Sequence, residues 1–389
     1  MSSCKKQIFL CFLAFLLLCL TGCSNIKNTF PGMQREKDGY KIAVVASQKG
    51  PCAILGKSIV DGAELAVEEV NQNGGIDGKK VILIEKDDCG LVGEGAYFAY
   101  HFTMIDMVLG VIGHLNSDIS IPASEFYTYA MIPEISPGST SPYFTEREAV
   151  KGYVFRTIGR DDAEGKLLAD YVLKHGLRRV AVLYNDRAYG KTLASEFAKS
   201  LKNNTILDVK PQIVFYGMIE VGKKDYGALI SQLSSYTPDV VFLAGESNDA
   251  GNLVKDFPKY GLGMTKFIGG DGIYNEDFIE IAGANAEGSV IISPSPITDK
   301  SFIEKYLKRF DKQPLGYAAN SYDATNILIS AIKKVKIQNG EKIAKEVAST
   351  MNFKGVSGLI SFNEIGDLTS PGFVLSKVKN GKFKVIDDE

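Results

Sequence analysis

The residue types that do chemistry are sparse in this chain, and their spacing excludes more than it offers. His101, His114 and His175 are the three histidines, with no ligand-like spacing between them, which makes a zinc site improbable. Asp87-Asp88 offers two carboxyls for acid–base work, but neighbours on a strand face opposite sides of the sheet, so the pair reads as loop and cap residues. No Gly-x-x-x-x-Gly-Lys-Ser/Thr, Gly-x-Ser-x-Gly or His-Glu-x-x-His sequence occurs. Gly93-Glu-Gly95 and Gly261-Leu-Gly263 each lack the third glycine of a dinucleotide fingerprint. Nothing assembles a nucleophile, a base and an oxyanion stabiliser. Catalysis finds no support in the sequence, and the chain is read as a binder rather than an enzyme.

Composition narrows the partner. Of 389 residues, 45% are hydrophobic and 23% charged, the balance of a folded chain with a full core. Lys+Arg number 44 against 46 Asp+Glu, so no cationic excess exists to hold a nucleic-acid backbone.

The N-terminus reads as an address. Lys5 and Lys6 precede an uncharged apolar run over 8–20, followed by Thr21-Gly22-Cys23. Such a run rises about 20 Å as a helix, short of the roughly 30 Å hydrocarbon core, so residues 1–22 read as a secretory signal rather than a span. Leu20-Thr21-Gly22-Cys23 resembles the lipobox of bacterial lipoproteins, which implies a lipid-bearing Cys23 as the first mature residue. Two or three acyl chains give lasting membrane attachment. Residues 23–39, polar and broken by Pro31 and Gly32, then form a flexible tether. Of six cysteines only Cys52 and Cys89 stay free in the mature chain, in a compartment that permits disulfides.

From Lys41 onward, unbroken apolar runs alternate with amphipathic segments. Strands are predicted over 42–46, 81–85, 108–112, 180–184, 213–216, 240–244 and 290–293. Helices are predicted over 61–73, 94–103, 118–129, 162–175, 189–203, 226–235, 250–260, 301–310, 317–335 and 342–351. Ala63, Ala66, Val67 and Val70 share one helix face, and Asn73-Gly74-Gly75 stops that helix. Apolar strands joined by helices imply parallel sheets covered on both faces, which bind ligands at strand carboxyl ends where the strand order reverses. Two such sheets, with crossings near 155–160, 270 and 350, place a cleft between two lobes.

Three stretches are similar to the type I periplasmic binding proteins of the branched-chain amino-acid class, the receptors of ABC importers. One is Gly50-Pro51 and Gly56, then Asp61-Gly62-Ala63 through Asn73-Gly74-Gly75-Ile76. The others are Ile112-Gly113-His114-Leu115-Asn116-Ser117 with Pro122-Ala123-Ser124, and Ile135-Ser136-Pro137-Gly138-Ser139-Thr140-Ser141-Pro142. Weaker echoes follow at Tyr189-Gly190, Lys224-Asp225-Tyr226, Asp271-Gly272 and Tyr322-Asp323-Ala324. The resemblance implies an α/β fold of two Rossmann-like doubly wound parallel-sheet lobes joined by three crossovers. It assigns 40–157 with 271–350 to lobe 1 and 158–270 with 351–389 to lobe 2.

The resemblance also implies a site. Ser117 opens a helix after a strand, where a hydroxyl and free amides receive an anion. Gly138, Ser139 and Thr140 form the turn that grips the α-carboxylate and α-ammonium of an amino acid. A carboxylate from lobe 2 answers the ammonium: Asp249 ranks first by position after the strand at 240–244, and Asp271 second. Tyr189 and Tyr226 open helices on that lobe and pack on the ligand. Leu55 stands where amino-acid binders often present an aromatic wall. The family disulfide would pair Cys89 with the position held here by Asn116, so that bridge is absent, and a Cys52–Cys89 disulfide is expected instead. The implied protein is a lipid-anchored monomer without a cofactor that captures a small polar ligand, foremost an α-amino acid, for ABC permease subunits. A receptor for an amide, urea or small carboxylate, or a sensory subunit with a signalling partner, stays open as an alternative.

Overall fold

The computed structural model describes residues 39–203 and 211–386. The expected signal (1–22), the lipid-bearing Cys23 and nearly all of the tether lie outside the described residues.

The first lobe is built from β1 (Tyr40–Ala46), α1 (Ala53–Gln72), β2 (Val81–Asp87), α2 (Val92–His101), β3 (Val111–Gly113), α3 (Ser117–Tyr129), β4 (Glu134–Ser136) and β5 (Val154–Arg156). Its sheet runs β2-β1-β3-β4-β5, with every pairing parallel. The second lobe follows with α4 (Asp161–Lys174), β6 (Arg179–Tyr184), α5 (Ala188–Asn203), β7 (Gln212–Met218), α6 (Gly227–Ser235), β8 (Val240–Ala244), α7 (Ser247–Asp256), β9 (Lys266–Gly269), α8 (Glu276–Ala282) and β10 (Val290–Pro294). The chain then returns through α9 (Lys300–Phe310), α10 (Gly316–Val335), α11 (Gly340–Ala348), β11 (Phe353–Lys354) and β12 (Leu359–Ile360), and finishes in β13 (Phe373–Lys379) and β14 (Lys382–Val385). The second sheet runs β14-β13-β10-β9-β8-β6-β7, antiparallel only where β13 joins β10 and β14 joins β13.

This is the doubly wound, two-lobed α/β architecture expected from the alternation, with two corrections to its boundaries. Val290 and Ile291 of β10 pair in parallel with Ile268 and Gly269 of β9, so 271–294 belongs to the second lobe rather than the first. The return crossing therefore follows Pro294 instead of lying near 270. The last crossing falls between β12 and β13, beyond the expected 350. Both errors share one cause: a helix of seven residues and short connectors give too little periodicity to show which sheet the next strand joins.

The returning helices lie on the first lobe. Tyr306 of α9 donates to Asp61 Oδ2 (2.8 Å), and Ser321 of α10 donates to the Ile59 carbonyl (2.6 Å). Gly62 of α1 makes the approach of α10 possible, since a Cβ there would sit 2.2 Å from the Ala318 carbonyl oxygen. The central strands are buried along nearly their whole length, β8 and β10 throughout and β1 at all but one residue, as sheets covered on both faces require.

Three short connectors join the lobes, and an ionic cluster ties two of them together. Arg156, fully buried at the end of β5, pairs through Nε with Asp367 Oδ1 at 2.7 Å. Arg160 reaches Asp367 Oδ2 at 2.6 Å. A guanidinium taken out of water survives only with such partners, so this cluster fixes where the connectors pass.

Candidate ligand-binding site

The strand orders place the site. Order reverses between β1 and β3 in the first sheet and between β6 and β8 in the second. Loops leaving the carboxyl ends of those strands face each other across the cleft. They enclose a cavity of about 350 Å³, including its solvent-open part, lined from the first lobe by Cys52, Leu55, Leu115, Asn116, Ser117, Gly138, Thr140 and Tyr317. The second lobe contributes Tyr189, Glu246, Asp271 and Gly272.

On the first wall, Ser117 begins α3 and its Oγ accepts the Ser141 amide (3.3 Å), coupling the helix start to the 138–141 turn. Gly138 allows that turn to pack on Leu115, because a Cβ would lie 2.7 Å from Leu115 Cδ1. Arg156 holds the turn from beneath, donating to the carbonyls of Ser139 (2.7 Å) and Ser141 (2.9 Å). The Ser117 hydroxyl and the amides at the start of α3 give this wall donors for an anion, while the Thr140 hydroxyl beside them also hydrogen-bonds to Asp161.

The opposite wall is acidic. Asp271 follows β9, is 3% exposed and accepts the Tyr317 hydroxyl at 2.8 Å across the cleft. The Tyr189 hydroxyl also donates to Asp271 while accepting the Gly272 amide at 3.1 Å. Burial raises the Asp271 carboxyl to about 6, against the pull of the two tyrosines. Behind it, Glu164 accepts the Asp271 amide (2.8 Å), and burial with the charges of Asp271 and Asp161 pushes Glu164 upward. Asp161, raised to about 7 chiefly by burial, accepts the Thr192 hydroxyl. One oxygen of Asp161 and one of Glu164 are buried without a hydrogen-bond partner. Burial favours the neutral forms of Glu164 and Asp161, which leaves Asp271 as the carboxyl of this wall that stays mostly ionised near pH 7 and is chemically suited to a cation.

The lobes touch at further points beside the cavity. Cys52 at the start of α1 donates its thiol to Glu246 Oε2, and Arg187 lies 3.5 Å from Asp118 Oδ2.

A family model described as periplasmic binding protein matches residues 39–382. The chain belongs to the periplasmic binding protein family. Members of this family are substrate-binding receptors rather than enzymes. The chain is 36% identical over 336 residues to the Leu/Ile/Val-binding protein homolog 1 of Brucella abortus, covering 85% of this chain and 88% of that protein. Its fold is similar to the leucine binding protein LivK of Thermotoga maritima, with a TM-score of 0.81, 26% identity and coverage of 90% and 98%. It is likewise similar to the branched-chain amino acid transporter substrate binding protein LivJ of Streptococcus pneumoniae in complex with isoleucine, with a TM-score of 0.80, 27% identity and coverage of 90% and 99%. Among the described residues of this periplasmic binding protein, no helix is long and apolar enough to cross a membrane.

Of the residues singled out in the sequence, Leu55, Ser117, Gly138, Thr140, Tyr189 and Asp271 lie together on the cavity wall. Ser139 does not: its hydroxyl turns inward to Ser120 and to the carbonyls of His114 and Leu115. Asp249 and Tyr226 are not on this wall either, contrary to expectation. Asp249 accepts the Tyr226 hydroxyl (2.7 Å) and the Gly222 amide (2.8 Å), so the pair braces the loop that follows β7. The reason is helical geometry. Glu246 caps α7 directly after the strand and reaches the cleft, whereas Asp249 lies inside the first turn.

The expected Cys52–Cys89 disulfide is also corrected, since both thiols are free. Cys52 is buried against Glu246, while Cys89 follows β2 in a left-handed turn and directs its sulfur to the Asp87 carbonyl (3.8 Å). Sequence reasoning missed Cys52 as a wall residue, along with Leu115, Asn116, Glu246, Gly272 and Tyr317. Glu246 carried a usable signal, being the first side chain after the β8 strand and Gly245. Tyr317 carried none, because its helix reaches the cleft only through the return crossing.

Proposed function

We propose that this protein is the extracytoplasmic receptor of an ABC importer and captures an α-amino acid by closure of its two lobes. One observation carries the reading: hydroxyls and a helix start at Ser117, Gly138 and Thr140 face the carboxyl of Asp271 across a single cavity. An α-amino acid presents the complementary pair of charges about one carbon apart. Its carboxylate takes the donors of the first wall, and its ammonium takes Asp271, with Tyr189 and Tyr317 orienting that carboxyl. Each lobe holds half of the ligand, so affinity depends on the closed arrangement and the ligand shifts the population toward it. The names of the relatives, which refer to leucine, isoleucine and valine, support an amino acid as ligand. Cys23, read as lipid-bearing, would tether the receptor to the membrane beside its permease.

Thermal unfolding of the chain from Ser24 onward, with amino acids, amides and small acids in turn, tests the reading. A ligand at one hundred times its dissociation constant stabilises by about 2.7 kcal/mol. A shift with amino acids is expected. Shifts with acetamide or urea and none with amino acids would reject it.

A further inference from the structure

An α-amino acid leaves its side chain to be chosen, and the cavity wall bears on that choice. Once Ser117, Gly138, Thr140 and Asp271 are engaged by the α-groups, and the Tyr189 and Tyr317 hydroxyls are held by Asp271, the polar side chains left are Cys52, Asn116 and Glu246, beside Leu55, Leu115 and the two tyrosine rings. Glu246 is 4% exposed, caps α7 from the second lobe and receives the Cys52 thiol. Asn116 donates from Nδ2 to Cys52 Sγ (3.5 Å), and its Oδ1 accepts the Ser47 hydroxyl (3.3 Å). These three side chains form one continuous polar chain across the lobe boundary. Arg187 is the cation that faces Glu246, more strongly than it faces Asp118 at 3.5 Å, and it also donates to the Gly90 carbonyl (3.4 Å), so Glu246 meets it as a charge and not through a hydrogen bond.

An aliphatic side chain seated against this chain would strip water from a carboxyl and an amide and return no hydrogen bond. A side chain carrying N–H or O–H would restore what the water supplied. Sites built to hydrogen-bond a ligand group reject the analogue lacking it far more strongly than apolar pockets reject a missing methylene. We propose that Glu246, with Cys52 and Asn116, makes this receptor select an α-amino acid whose side chain donates hydrogen bonds over leucine, isoleucine or valine. The proposal rests on the α-amino-acid reading above and names the side-chain class within it.

Isothermal titration calorimetry tests it with glutamine, asparagine, serine, threonine and lysine against leucine, isoleucine and valine. The tightest donor side chain should bind at least tenfold more tightly than the tightest aliphatic one. In Glu246→Leu that ratio should fall at least tenfold, with leucine gaining affinity. Asn116→Leu should move the ratio the same way, and serves if Glu246→Leu fails to fold. An aliphatic amino acid as tightest ligand of the wild type overturns this proposal alone, as does an unchanged ratio in a folded variant. Binding of none of the amino acids overturns the α-amino-acid reading and this proposal with it.

Discussion

Replacing Asp271 with asparagine isolates the contact on which the proposed ligand capture turns. The carboxyl is 3% exposed and hydrogen-bonded to Tyr317 at 2.8 Å, and the amide of Asp271→Asn would occupy the same space and keep an acceptor oxygen. What it removes is the negative charge proposed to face the ligand's desolvated ammonium. A hydrogen bond to a charged group contributes about 1.5–3 kcal/mol, and stripping one partner from a buried pair costs about 3–5 kcal/mol. Because the amide oxygen survives, about 2–4 kcal/mol is the expected loss, a dissociation constant weakened between about thirtyfold and nearly a thousandfold. Calorimetric titration at pH 7.5 with the amino acid that binds the wild type most tightly reads this directly. The ligand-free variant should unfold at the wild-type temperature or above it, since a buried acid beside Glu164 and Asp161 has gone. Affinity within threefold of wild type, in a variant of undiminished stability, would refute the pairing of Asp271 with the ammonium.

The pH dependence follows from the same wall. With Asp271 raised to about 6, protons compete with the ammonium below that pH, so affinity should be about tenfold weaker at pH 5 than at pH 7.5. The ligand-free fold should move the opposite way. Asp271 and Asp161 (raised to about 7) bind protons in the native state that the unfolded chain releases, so stability should rise as pH falls from about 7 toward 4. Binding isotherms and denaturant midpoints that stay flat across this window would count against the acidic wall. Asp367→Ala leaves Arg156 buried without its carboxylate and should cost about 3–5 kcal/mol in urea unfolding, whereas a loss below about 1 kcal/mol would show the cluster to be dispensable. Gly62→Ala drives a methyl toward the Ala318 carbonyl and should cost about 1–3 kcal/mol by overpacking, read as a fall of several degrees in the unfolding temperature. An unchanged temperature would mean that α10 can retreat from α1.

Strand–helix alternation made most of the fold legible, because buried parallel strands need unbroken apolar runs and their covering helices need one apolar face. The strands at Glu134–Ser136 and Val154–Arg156 escaped notice, since a three-residue strand shows only where an apolar run extends it, as Val108-Leu109 does before β3. So did β13 and β14, which join the sheet edge antiparallel, where alternation with polar residues dilutes the run. In the cleft, the turn and helix start of the first lobe were readable from local sequence, as Ser117, Gly138 and Thr140 lie within one continuous stretch of chain. The second wall was harder. Glu246 and Asp249 are three residues apart, and only the position of the helix cap decides which one enters the cleft. Cys52 and Glu246 meet although they are separated by 194 residues, a contact between lobes that no local pattern encodes.

The most direct measurement compares three molecules of one carbon skeleton by calorimetry: the best-binding amino acid, the amine lacking its carboxylate and the acid lacking its ammonium. If the two walls each hold one α-group, both truncated compounds should bind at least a hundredfold more weakly than the parent. Equal affinity for either truncated compound would contradict a cleft that clamps both charges at once.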